Sequence, residues 1–452
     1  MRDRISQALK GHGADYVEVR IEEAESTRLV YRGRDLEDIG VTTSLGGNVR
    51  ALVNGGWGFV SFNRIDGLEE KVRMAVDQAR LVGHEASALA EIEPVVDTVQ
   101  LAIKKDPRSV TLAQKKELMD QYNEIMWSVP GIQTTIVGYG DGHKKVTFAS
   151  SEGSYIEQQK VDVTLRLSAT VRDGSQVQQA GVSLGSNGDF GVVQERHQEA
   201  REIAEKAVQL LSASRVKGGE YPVILDPVLA GVFIHEAFGH LSESDHVYEN
   251  DKLKEIMLLG RKFGGRHLNV VDGAAVPGLR GSYKYDEEGV PGTRTYLIRE
   301  GELVGRLHSR ETAAKMGERP SGNARAIDFR FEPIVRMTNT FIESGTVTFH
   351  EMLADVKEGV YACNWYGGMT SMEMFTFSAR EAYMIRNGKI AELLRPVTLS
   401  GNVFETLKNL DAIGDDLDMN QGGGCGKGGQ SPLAVSNGSP HIRISRCLVG
   451  GG

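Results

Sequence analysis

Apolar and polar positions change period several times along this chain, and those changes divide it. Residues 1–84 read as helix, strands and helix. A short first helix is predicted near Arg4–Lys10. From Tyr16 to Ile21 the pattern alternates, with Val17, Val19 and Ile21 on one face, as in a half-buried strand. Further strands are expected over Ser26–Tyr31, Leu36–Thr43, Asn48–Val53 and Gly58–Phe62, and a helix over Leu68–Val82 closes the unit. A connector at 87–110 carries Pro94 and Pro107. The order then recurs: a helix near Leu112–Trp127, strands near Gln133–Gly138, Lys145–Ala149, Val161–Thr170 and Val177–Leu184, and a helix over Gln194–Leu211. Two helix–meander–helix units imply an internal structural repeat, packed as one α/β domain over residues 1–216.

Lys217-Gly218-Gly219-Glu220 marks a shift in composition. After it come a short strand, Tyr221–Asp226, and a helix whose end carries two histidines. From about residue 268 onward, β-branched runs such as Ile334–Thr340 and Ala382–Ile390 alternate with glycine turns. Residues 217–452 are therefore expected to form a mainly β, barrel-like domain, and the whole chain to be α+β.

The 452 residues are enough for two or three domains. A net charge of −9, with no basic stripe interleaved with aromatics, argues against direct nucleic-acid binding. No apolar run approaches the ~18 residues of a membrane helix, and no signal core stands near Met1. Cys363, Cys425 and Cys447 are too few and too scattered for a disulfide framework, so a cytoplasmic protein is expected.

The segment His235-Glu236-Ala237-Phe238-Gly239-His240 puts two imidazoles around a carboxylate. Zinc proteases need neutral nitrogen ligands and a base beside the bound water. Their familiar spacing, His-Glu-x-x-His, sets the histidines at i and i+4. Here they stand at i and i+5, a rotation of about 140° on a regular helix. The two can share an ion only if the helix loosens or ends between them, and Gly239 permits a bulge or a left-handed exit. A third ligand is needed. Cys425, within Gln421-Gly422-Gly423-Gly424-Cys425-Gly426-Lys427, offers a thiolate that Lys427 would favour; a plain glycine turn accounts for the same residues. Asp245 and His246 are further candidates, and Glu243 and Glu249 read as surface acids or as partners that orient a histidine. The Gly-Lys pair does not make a phosphate loop, because Gly428 stands where Ser or Thr belongs. Cys363 and Cys447 read as inert core.

Together these segments resemble the TldD family, the metallopeptidase side of the TldD–PmbA (TldE) system. The resemblance is carried by the histidine segment with Glu243 and Asp245, and by Cys425–Gln430. It is extended by Gly359-Val360-Tyr361-Ala362, Arg336–Thr340, Ser378–Tyr383 with Asn387–Ile390, and the opening strand Gly13–Arg20. It implies an α/β N-terminal and a mainly β C-terminal domain, zinc held by His235, His240 and Cys425, and Glu236 as general base then acid. It also implies the catalytic rather than the PmbA-type member, because the His-Glu-x-x-x-His motif is present. Family members act on unfolded or flexible peptides, so a peptide substrate is expected. A dimer is expected too, with a PmbA-like (TldE) chain or with itself. Residues 364–374 are more aromatic and methionine-rich than the family pattern and are either substrate groove or sheet core. The rival readings are a non-catalytic peptide-binding or regulatory subunit, and a zinc hydrolase of non-peptide amides.

Overall fold

The protein is described from a computed structural model covering residues 1–82, 87–371 and 373–451. Position 84, the expected edge of the first unit, and Met372, inside the expected groove segment, lie outside the described residues. A short helix, α1 (Arg2–Ala8), leads into three long antiparallel strands, β1 (Tyr16–Arg32), β2 (Asp35–Val53) and β3 (Gly56–Phe62), and then α2 (Leu68–Val82). After β4 (Val96–Val99) the order repeats as α3 (Leu112–Trp127), β5 (Ile132–Ser150), β6 (Tyr155–Asp173), β7 (Gln176–Ser186) and α4 (His197–Ser212). All seven strands form one sheet. The first strands of the two units, β1 and β5, pair antiparallel at its centre, so the expected repeat is present as two halves of one sheet.

The strands are longer than the alternation predicts. β1 and β2 each join two expected strands, and so do the segments merged in β5. The reason lies in β1, which is buried on both faces rather than one from Tyr16 to Glu22. Val17, Val19 and Ile21 pack with Ile5, Val49, Ala51 and the α2 residues Val72 and Val76. The polar positions between them are buried as well. Arg20 joins Glu22 at 2.9 Å and Glu287 at 2.9 Å, and Arg50 joins Glu18 at 2.8 Å and Glu288 at 2.7 Å. Charges that look like strand breaks are thus paired against the 286–288 segment of the C-terminal half. Removing one partner of such a buried pair leaves a charge uncompensated and costs about 3–5 kcal/mol.

The C-terminal half opens with β8 (Gly219–Leu225) and α5 (Pro227–Ile234), followed by β9 (Val270–Gly273), β10 (Asn339–Ile342), β11 (Glu358–Ser371), β12 (Met374–Arg386) and β13 (Val397–Asn402). It ends with the hairpin β14 (Gly424–Lys427) and β15 (Gln430–Ala434), then β16 (Ser436–Ser439) and β17 (Ile442–Gly451). Strands β11, β8, β17, β13 and β12 pair in that order, and β12 pairs back to β11, which closes a five-stranded barrel. The barrel confirms the predicted architecture. A second sheet, which includes β9, β10 and β16, covers α5. The largest apolar cluster runs through barrel, α5 and this sheet, and includes Phe233, Phe238, Met337, Phe377 and Cys425.

Candidate metal centre

The histidine segment is positioned by how α5 starts and how it ends. Asp226, at the end of β8, caps the helix by accepting the Leu229 N–H at 2.8 Å, and Pro227 follows at the first helical position. The Asp226 carboxylate also accepts the Asn364 N–H at 3.0 Å, which ties α5 to β11. Burial pushes its pKa up to about 6, against the lowering effect of these two bonds. Gly231 lets α5 approach β16 closely, because a Cβ there would lie 2.9 Å from Gly438 Cα.

At its C-terminal end the helix widens. Residues His235–Gly239 form a π turn, and the His240 N–H donates to the His235 carbonyl, five residues back. This wider turn removes the rotation that separates i and i+5 in a regular helix. The two imidazoles stand edge-on, with ring centroids 5.3 Å apart. Gly239 does not exit left-handed, for its φ is −57° and its ψ −51°. What it supplies is room: a Cβ there would lie 2.1 Å from Met337 Sδ.

Cys425 reaches the same place from the β14–β15 hairpin. Its backbone is pinned by the fully buried Arg336, whose Nη2 donates to the Cys425 carbonyl at 2.8 Å and whose Nη1 donates to the Gln430 carbonyl at 3.2 Å. Ligand atoms of His235, His240 and Cys425 lie within 4.8 Å of one another. His240 Nε2 is 3.5 Å from Cys425 Sγ and 3.9 Å from Glu236 Oε2. Among the described residues, the buried His235 Nδ1 has no hydrogen-bond partner. Two imidazoles and a thiolate converging at this spacing suit a borderline-soft divalent ion such as zinc, and Glu236 stands beside them.

The other candidates resolve as supports. Glu243 is fully buried, and its Oε2 lies 3.0 Å from His240 Nδ1, which leaves Nε2 facing the cluster. Burial opposes its charge, but the His240 bond and Lys427 outweigh that and hold its pKa at about 2. Lys427 does not act on the sulfur as expected. Its Nζ is taken by Asp245 at 2.6 and 2.7 Å, by Glu243 at 3.2 Å and by the Val335 carbonyl at 2.8 Å. Burial raises the Cys425 thiol, but the neighbouring His235 and His240 imidazoles outweigh that and lower it to about 5. His240 is raised to about 11: burial works against its charge, while Cys425 and Glu243 favour it. Asp245 is therefore engaged elsewhere, His246 stays half-exposed and Glu249 is exposed. Burial raises the Cys363 and Cys447 thiols, which fits inert core.

Sequence reasoning assigned no role to Arg336 and Met337 and overlooked Asp272. Asp272 accepts from the Thr338 N–H and hydroxyl and from the Thr340 hydroxyl at 2.7–2.9 Å, which fixes the segment that directly follows Arg336 and Met337. The only sequence signal was an Arg-Met-Thr-Asn-Thr run too polar for an ordinary core strand.

A cleft of about 390 Å³ opens onto His235 and Glu236. Its walls are β7 from Gly181 to Gly185, the glycine run before Cys425, and Asn364, Trp365 and Arg380 of the barrel. Of the aromatic and methionine-rich segment, Asn364 and Trp365 line the cleft, whereas Tyr366, Met369 and Met374 are half or more exposed.

A protein with this fold and this gathering of histidines and cysteine falls into a known class of metallopeptidases. The chain belongs to the PmbA/TldA metallopeptidase family: residues 17–79 match its domain 1, 105–215 its central domain and 218–451 its C-terminal domain. It is 48% identical to a metalloprotease of Synechocystis over 97% of this chain and 95% of that one. It is 29% identical to a zinc metalloprotease TldD homologue of Saccharolobus solfataricus, over 97% of each chain. Among solved structures, the fold is shared with a Thermotoga maritima protein labelled a modulator of a DNA gyrase, at a TM-score of 0.81, 20% identity and 99% coverage of both chains. It is also shared with TldE from Thermococcus kodakarensis, at a TM-score of 0.77 and 16% identity, over 99% of this chain and 98% of that one. No helix among the described residues is long and apolar enough to cross a membrane.

Proposed function

We propose that this chain is a zinc-dependent peptidase of the TldD type, acting in the cytoplasm on unfolded or flexible peptides. The observation that carries the reading is the convergence of His235, His240 and Cys425 within 4.8 Å, next to Glu236, with His235 and Glu236 lining an open cleft. His235, His240 and Cys425 would hold the ion, which when bound supplies Lewis acidity toward a peptide carbonyl and toward water. Glu236 is the proton carrier. Its Oε2 takes a proton from the attacking water and returns it to the leaving amine. Glu243 keeps His240 in the tautomer that turns Nε2 inward, and Arg336 holds the thiolate hairpin in register.

In this reading His235, His240, Cys425 and Glu236 belong to a C-terminal domain over residues 217–452, and β7 of an N-terminal domain over 1–216 adds a wall of the cleft. We also propose that the chain works as a dimer, with a TldE-like chain or a second copy of itself; the relationship to a TldE fold supports a paired arrangement. The decisive variant is Glu236→Gln. It should bind zinc as tightly as wild type and lose at least about 10²-fold in kcat on an unfolded casein-like substrate. Unchanged hydrolysis would remove Glu236 as the proton carrier, and peptide binding without hydrolysis by wild type would favour a non-catalytic, peptide-binding subunit. Cleavage of small amides but not of unfolded protein would favour the amide hydrolase.

A further inference from the structure

The cleft contains a charged group that neither the metal cluster nor Glu236 uses. Arg380, on β12, lines the same cleft as His235 and Glu236. Its Nε donates to the Trp365 carbonyl at 3.2 Å, which ties the head of the side chain to the cleft wall. Among the described residues, neither Nη nitrogen meets an acceptor and no carboxylate stands within salt-bridge distance. The adjoining Glu381 is already engaged, by Lys206 at 2.9 Å and by Asn364 Nδ2 at 3.2 Å. Burial and the nearby Arg166 both press against the Arg380 charge, which Tyr366 and Glu381 only partly offset. A half-buried guanidinium whose Nη atoms have no protein acceptor is free to meet a ligand. It is also the group whose planar fork matches a carboxylate with two parallel hydrogen bonds.

The opposite wall leaves space for it. On β7, a Cβ at Gly181 would lie 2.9 Å from Arg380 Nη1, so a side chain there would crowd the end of the fork. The Tyr366 ring, 5.7 Å from Cζ, flanks the guanidinium on another side. The other fixed charges on the cleft walls, Glu236 and Asp418, are acidic. Apart from the proposed metal, Arg380 is therefore the one cationic side chain among the described residues of the cleft walls that would attract an anion.

We propose that Arg380 is the residue that positions substrate by receiving a carboxylate of the bound peptide, and so selects which peptide bond stands at Glu236. This rests on the peptidase reading above. The carboxylate is either the free C-terminus or an acidic side chain near the cleaved bond, and the two are separable by experiment. Short labelled peptides are titrated by fluorescence anisotropy against full-length, zinc-loaded Glu236→Gln protein with Arg380, Arg380→Met or Arg380→Lys. The peptides are compared in pairs, free C-terminus against amide and Glu against Gln.

With Arg380 present, neutralising the recognised carboxylate should weaken binding about tenfold to a hundredfold, the range of a charge-assisted bidentate pair. With Arg380→Met the same change should cost less than about threefold, and Arg380→Lys should fall between, since it keeps the charge and loses the fork. Loss with the amide identifies the C-terminus, and loss with Gln identifies the side chain. Equal binding of all peptides to the Arg380 protein overturns the proposal. So does an equal weakening of every peptide by Arg380→Met, which would mark a purely structural role through Trp365. If Arg380→Met does not fold, the Arg380→Lys comparison decides by the same criterion. Hydrolysis of the same peptides by wild type separates the two ideas. Carboxylate-selective binding without cleavage refutes the peptidase and leaves Arg380 standing; cleavage without carboxylate preference refutes Arg380 alone.

Discussion

Replacing Gly239 with alanine tests how the i, i+5 histidines come to share one site. The backbone at Gly239 is ordinary right-handed helix, so alanine fits its φ and ψ and should gain up to about 1 kcal/mol in helix propensity. Against that, the new methyl would sit 2.1 Å from Met337 Sδ, 3.3 Å from its Cε and 3.5 Å from its Cγ. Ordinary contact between such atoms is about 3.5–4 Å, so the sulfur would have to retreat by roughly 1.5 Å. Met337 is completely buried and has nowhere to go. Overpacking of this kind costs about 1–3 kcal/mol. The net expectation is a loss of up to about 3 kcal/mol, or up to roughly 12 °C in Tm for a domain of this size. Because His240 follows immediately, the strain should also displace a ligand and weaken zinc binding about tenfold or more. Denaturant unfolding and competition with a chelating dye read the two effects. The control is Met337→Ala, alone and combined with Gly239→Ala. Removing the methionine makes room for the methyl, so the two changes should be less than additive, by about 0.5–3 kcal/mol. Strict additivity, or a Gly239→Ala protein with wild-type stability and zinc affinity, would refute the close-packing account.

Two further outcomes follow from the same geometry. Cys425→Ser should bind zinc at least about tenfold more weakly than wild type by metal analysis after dialysis, since a serine hydroxyl is a far poorer ligand than a thiolate; undiminished zinc would remove Cys425 from the site. Asp226 has a folded-state pKa of about 6 against an ordinary 3.8, so the fold disfavours its ionised form. Its contribution is therefore harmless below about pH 4 and becomes destabilising as pH rises to 6, by on the order of 3 kcal/mol. Asp226→Asn removes that dependence, and its stability relative to wild type should improve across pH 4–6; a flat difference would mean that Asp226 does not titrate there.

Much of the fold was legible in the alternation itself. Helices over Leu68–Val82 and Leu112–Trp127 were placed to the residue, because apolar spacing there is regular and uninterrupted. The meanders were cut into too many strands. Glu18, Arg20 and Glu22 resemble solvated positions in sequence, and only their partners Arg50, Glu287 and Lys144 make them buried strand residues. Those partners come from elsewhere in the chain, and no local pattern can announce them.

The candidate site divides in the same way. The sequence by itself determined the donor types, the awkward five-residue step and the position of the glycine beside it, since these are properties of consecutive residues. The tertiary structure decided the rest. It made the step a π turn rather than a left-handed exit, set Gly239 against Met337, and held His240 Nδ1 against Glu243. It also brought Cys425 to the histidines across 185 positions of chain and left Arg380 facing the cleft without an anion. Spacing along a chain fixes what a helix turn can present. Which groups meet across the fold depends on how distant elements pack, and that is settled by the burial of the whole core.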